Sequence, residues 1–179
     1  MDPLSPATLG AGLLILRLVL GLYMAAHGAQ KLLGWFNGFG LEATGQFMEQ
    51  LGYRPGRAFA ALASGTEVLS GILVAIGFLG PVGPALMIPA MIVAMVTVHW
   101  RGGVFAMSNG IELPLLFAAG AAAIALTGPG VYSMDAWLGL GPLTTPAIAW
   151  TAIVAGVVVG LANLAIRRPA PSTPAHTVT

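Results

Sequence analysis

Five stretches of this chain are apolar enough to cross a bilayer, and they leave few other folds open to it. They run near Leu9–Leu33, Ala58–Leu79, Val82–Trp100, Ile111–Thr127 and Pro146–Ile166, the fourth being the shortest. A span needs about 20 largely apolar residues. The charge inventory agrees. Only 7% of the 179 residues are Asp, Glu, Lys or Arg, against about a quarter in a soluble domain. Seven basic and six acidic side chains cannot coat a globule of this size, so lipid is the main solvent. The expected fold class is all-α, a polytopic membrane helix bundle.

The connections differ in kind. GPVGP, with Pro81 and Pro84, suits a tight break followed by a helix start. Between Gly34 and Gly56, the residues Trp35, Phe36, Phe39 and Tyr53 read as an interfacial aromatic belt. Leu41, Thr44, Phe47, Met48 and Leu51 recur there at helical spacing, which predicts a short amphipathic helix near 41–51 on the bilayer surface. GPGVYSMDAWLGLGP reads as another interfacial connection, with Ser133 capping a short helix. Residues 1–140 form one membrane domain in this reading, and 141–168 add a transmembrane helix. The Pro/Ser/Thr-rich tail 169–179 is expected to be disordered.

The basic residues set the expected orientation. Lys31, Arg54, Arg57, Arg101, Arg167 and Arg168 all belong to one side of a five-span chain, and the other side has no Lys or Arg. This bias places the N-terminus outside and the C-terminus in the cytoplasm. MDPLSPATL lacks a basic n-region and Arg17 interrupts the following apolar run, so the N-terminus does not read as a secretory signal. A net charge of +1 without a basic run argues against nucleic acid as a partner. The absence of cysteine removes disulfides, thiol chemistry and Cys-ligated metals.

Charged groups inside a span are costly, so each is a functional candidate. On the first helix Arg17, Gly21, Met24, Gly28 and Lys31 share one face at 100° per residue, with His27 on its flank. The glycines of that face would let another helix approach closely. Counted from the cytoplasmic end, His27 lies roughly 9 Å deep and Glu67 of the second helix roughly 13 Å deep. Lys31, His99, Arg101, Asn109 and Glu112 lie nearer that surface. Ionisable groups from four helices thus converge on one half of the membrane. Arg17 stands apart at roughly 24 Å, as a separate structural pair or a side chain snorkelling to the opposite headgroups.

Plainer roles compete at several positions. Glu67 suits a simple counter-ion for His27 or Lys31. Asn109-Gly-Ile-Glu112 fits a capping box with Asn109 at the N-cap. His99 fits an interfacial residue beside Trp100. Met87, Met91, Met95 and His99 stand at successive i+4 positions, a sloping ridge that suits core packing better than copper ligation. His27 and His99 are too little to predict haem.

The stretches RLVLGLYMAAHGAQKLLGW, ASGTEVLSGILVAIGFLG, MIVAMVTVHW, SNGIELPLLF and GPGVYSMD, taken in this order, closely resemble the DoxX family of small bacterial integral membrane proteins. The resemblance covers about residues 9–140. It implies a four-helix membrane core, to which this chain adds a fifth C-terminal transmembrane helix. The family is similar to the quinone-reducing membrane subunit of thiosulfate:quinone oxidoreductase, and its members are linked with membrane oxidoreductase complexes and oxidative-stress defence. By resemblance, Arg17, His27, Lys31, Glu67, His99, Asn109 and Glu112 occupy the family's motif positions and form the expected cofactor-binding set. The inner membrane of a bacterium is the implied location.

Three functions stay open at this point. The first is a redox-associated subunit binding quinone, or a similar polar-headed lipid, in the cytoplasmic half. Glu67, His27 and Glu112 would be its catalytic groups, since reduction of a quinone carbonyl needs hydrogen-bond donors and protons. No flavin motif, thiol or metal set supplies electrons in this chain, and neither haem nor metal is expected. Electrons would come from a partner in a larger membrane complex. The second is a non-catalytic accessory or scaffold subunit of such a complex or of a homo-oligomer. The third is small-solute or proton transport.

Overall fold

The computed structural model describes residues 5–168. The chain is helical, in the order α1 (Pro6–Leu33), α2 (Gly40–Gln50), α3 (Gly56–Ile76), α4 (Val82–Ala94), α5 (Glu112–Thr127), α6 (Met134–Leu138) and α7 (Pro146–Ala165). A π-helical turn, Met95–His99, and a 3-10 turn extend α4 to Gly102. Four of these rods are long and apolar enough to cross a membrane: α1, α3, extended α4 and α7. The fifth expected span, α5, has 16 residues and a length of about 24 Å, short of the roughly 30 Å hydrocarbon core. The proposed disordered tail lies outside the described residues.

Helix ends follow local chemistry. Ser5 caps α1 by accepting from Thr8 N at 3.1 Å, with Pro6 in the first turn. Thr145 and Pro146 open α7 in the same way. The short α6 begins at Ser133, whose Oγ accepts from Ala136 N at 3.1 Å, as its sequence predicts. Gly80 and Pro81 turn the chain between α3 and α4. The amphipathic α2 forms within one residue of its expected place. Trp35, Phe36 and Phe39 beside it are exposed. Tyr53, expected in the same aromatic belt, is instead buried against Phe59 with ring centroids 5.2 Å apart.

Close helix contact depends on glycine. The buried face of α1 comprises Gly10, Leu13, Arg17, Gly21, Met24, Gly28 and Ala29, the predicted stripe with its neighbours. A Cβ on Gly21 would stand 2.5 Å from Gly71 O of α3, and Gly71 faces Gly21 O just as closely. On α7, Gly156 and Gly160 form a small-xxx-small pair. A Cβ at Gly156 would stand 2.9 Å from Ala85 O of α4, and one at Gly160 would stand 3.1 Å from Ile92. The added helix therefore uses its small-residue stripe inside the chain. The centre holds Met24, Val74, Met87, Ile88, Met91, Ala121 and Ile124, with Met95 packed against them. The methionine ridge is core, as its spacing suggests.

Two ends of the bundle can be told apart by their contacts. At one, Gly10 meets Val131 and Tyr132, Asp135 N donates to Gly77 O, and Gly128 meets Thr144. At the other lie the 34–55 connection, the 103–111 loop and the end of α7, whose Arg168 N donates to Gly52 O at 2.9 Å. All six basic residues other than Arg17 belong to this second, basic end.

Candidate functional site

The best-defined polar feature at the basic end is an ion pair across the α1–α3 seam. Lys31 Nζ lies 2.5 Å from Glu67 Oε1. The two ends of the pair meet different surroundings: the Lys31 side chain is 38% exposed and that of Glu67 only 5%. Oε2 of Glu67 is buried with no hydrogen-bond partner. Thr44 Oγ1 donates to Lys31 O at 3.2 Å, so α2 holds the last turn of α1 in place. Gln30 Nε2 donates to Phe36 O at 3.2 Å and fixes the exit of the chain.

His27 is half-buried, one turn above Lys31, and its ring stands edge-on to Phe117 of α5 with centroids 6.0 Å apart. Phe117 is five residues beyond Glu112, about 7.5 Å along the helix. Glu112 itself turns to the 103–111 loop, where its Oε2 accepts from Ala106 N at 2.7 Å. His99 Nδ1 lies 3.0 Å from Asn109 O. A carbonyl oxygen only accepts, so in the neutral ring the proton sits on Nδ1 and Nε2 is the free acceptor.

The expected capping box is not formed. Asn109 has φ 59°, in the left-handed region, and ends a 3-10 turn, while Ile111 occupies the N-cap of α5 without a side-chain bond. The loop satisfies its own backbone instead: Ile111 N donates to Gly103 O and Glu112 N to Val104 O. Backbone pairing of the loop thus displaces the local cap.

The predicted cluster therefore resolves into two groups. Lys31 and Glu67 pair in the seam, with His27 nearby on α1. His99, Asn109 and Glu112 organise the loop. Among the described residues no ion pair joins the two groups.

Arg17 is at the opposite end, fully buried, and its Nη2 donates to Tyr132 O at 2.5 Å. Nε and Nη1 have no hydrogen-bond partner. The Arg17 guanidinium packs against Gly77, whose carbonyl oxygen accepts from Asp135 N at 3.1 Å. The carboxylate oxygens of Asp135 accept from Leu79 N at 2.8 Å and Gly80 N at 2.6 Å, which closes the α3–α4 turn. Arg17 thus lies apart from the Lys31–Glu67 pair, as its depth in the sequence predicts, and it is held by a backbone carbonyl. No side-chain pattern in the sequence marks Asp135, because its partners are backbone amides.

An open apolar groove of about 640 Å³ runs along α1 and α3, lined in part by Leu22, Ala26, Ala29, Leu33 and Ile72. At 100° per residue these α1 positions fall on the flank opposite Lys31 and His27. The groove and the polar pair are therefore two separate features of one seam.

These observations define a multi-pass helical membrane protein with a polar pair let into one end of its bundle. The chain belongs to the DoxX family, whose model matches residues 12–100. The match takes in α1 to His99 and includes Arg17, His27, Lys31, Glu67 and His99. Asn109, Glu112 and Asp135 lie beyond it, as does α7. No curated protein and no solved structure matches the chain.

Proposed function

We propose that this protein binds a quinone, or a similar polar-headed lipid, at Lys31 and Glu67 and serves as the lipid-facing subunit of a membrane redox complex. The observation that carries the reading is the asymmetry of the ion pair. A half-exposed ammonium donates to one oxygen of a carboxylate whose other oxygen is buried and unpartnered. Such an oxygen is costly to leave unmade and suits a proton or a ligand hydroxyl. The ammonium keeps donors for a ligand carbonyl. His27 stands one turn above as a further proton carrier. A bound quinone would supply the two-electron chemistry that these side chains lack.

The wider assignment follows the same line. The basic end faces the cytoplasm of a bacterial inner membrane in this reading, with electrons delivered by a partner protein. Glu112 and Asn109 shape the neighbouring loop rather than the pair. The test is lipid extraction with mass analysis on gently purified protein, wild type beside Glu67→Gln. Quinone retained in stoichiometric amount by the wild type and lost from a variant that still folds, with only a small loss of thermal stability, supports the site. A variant that is only less stable, with no change in bound lipid, makes Lys31–Glu67 a structural pair and favours an accessory subunit. A proton flux in sealed vesicles that vanishes with Glu67→Gln favours transport.

A further inference from the structure

We propose that the arginines gathered where α7 ends against the α2–α3 elbow form a binding site for the phosphate of an acidic phospholipid headgroup. The bond from Arg168 N to Gly52 O brings the end of α7, with Arg167 and Arg168, onto the elbow whose next residues include Arg54 and Arg57. Tyr53, next in the chain to Gly52, lies at this junction. Its hydroxyl is buried and has no hydrogen-bond partner, and its ring is fixed on Phe59. Four arginines are thus carried by two segments that meet at one backbone hydrogen bond, with a buried, unpaired hydroxyl beneath the junction.

Little nearby neutralises them. Glu42 lies 3.7 Å from Arg57, but both side chains are 73% exposed, so the pair is weak. Glu49 already accepts from Gly56 N at 3.1 Å, which also occupies the start of α3. Among the described residues Arg54, Arg167 and Arg168 have no ion pair. The corner also has the right depth. Gly56 begins one candidate span and Ala165 ends another, so both sit where a bilayer carries its phosphates. Planar guanidinium forks match phosphate oxygens in pairs, and basic pockets between transmembrane helices hold acidic headgroups. A zwitterionic headgroup brings its own cation and gains less.

Thermal unfolding of the full-length protein in neutral detergent tests this, with short-chain phosphatidylglycerol, phosphatidylcholine or sodium phosphate added. Phosphatidylglycerol should raise the midpoint of the wild type, and added sodium chloride should erode the gain. The Arg54→Gln/Arg168→Gln variant should lose most of the gain, whereas Arg101→Gln, basic but on the 103–111 side, should keep it. Sodium phosphate reproducing the shift with the same arginine dependence would keep the site and make its ligand soluble. An equal shift with phosphatidylcholine, a gain unaffected by salt, or a gain that survives in the double variant would overturn the proposal. The salt series uses the wild type alone, so the proposal stays testable even if the double variant does not fold.

Discussion

Both ends of the bundle bury a carboxylate near a cation, but they dispose of the charge differently. At the closed end, Asp135 is almost fully buried and spends both oxygens on Leu79 and Gly80 amides, while Arg17 is fully buried beside it. At the basic end, Glu67 has one oxygen on a half-exposed Lys31 and the other on nothing. The first arrangement ties three connections together: the α3–α4 turn, the 128–145 segment and α1. The second leaves a buried carboxylate oxygen without a partner beneath a half-exposed ammonium. The contrast separates a carboxylate with both oxygens satisfied from one that is only half satisfied.

The contrast predicts a ranking of effects. Asp135→Ala should be the most damaging change, because it leaves the buried Leu79 and Gly80 amides without their acceptor and opens the packing around Gly77 and Arg17. A loss of about 3–5 kcal/mol is expected in a denaturant titration. Gly77→Ala comes next. Gly77 has φ 67° and the Arg17 guanidinium packs where the Cβ would go, so about 2 kcal/mol should be lost, read as a lower melting temperature. Glu67→Gln should cost only about 1 kcal/mol, since Lys31 can turn to water. Equal losses for Asp135→Ala and Glu67→Gln would erase the distinction between the ends.

Tyr53→Phe is the smallest change and sharpens the picture of the basic end. It removes a buried hydroxyl without a partner, so stability at neutral pH should move by no more than about 0.5 kcal/mol. Burial pushes the Tyr53 hydroxyl up, and Arg167 only partly offsets this. The unfolded chain then releases its proton first, so the wild type loses stability as pH rises above about 10, the ordinary tyrosine value. The phenylalanine variant should lack that part of the decline in paired pH titrations of unfolding.

The axial order of the fold was legible from hydropathy. All five apolar rods lie where the runs predict, and Ser133 caps the short helix. The Gly21 and Gly28 face was legible from helical spacing. Depth arithmetic, however, places a residue along the bundle axis and says nothing of its position around it. That is why Glu112, at the start of α5, turns to the 103–111 loop while Glu67, mid-way along α3, pairs with Lys31. Asn109 was misread because the loop pairs its own backbone, a cooperative choice that outweighs a four-residue pattern. Arg17 finds a carbonyl 115 positions away, and a carbonyl has no sequence signature. Tyr53 was assigned to an aromatic belt by type, while the elbow geometry buries it.

The docking of α7 bears on the order in which the molecule is made. Arg168 and Gly52 are joined by a hydrogen bond although 116 positions separate them. Synthesis delivers the elbow early and the end of α7 last. Half of the arginine corner is therefore absent while the earlier helices insert and pack. The glycine stripe of α7 must then find α4 among helices that have already settled. A chain arrested before Gly156 would carry Lys31, Glu67, Arg54 and Arg57 but neither Arg167 nor Arg168. The corner is thus a structural mark that translation has run to the end of the last helix.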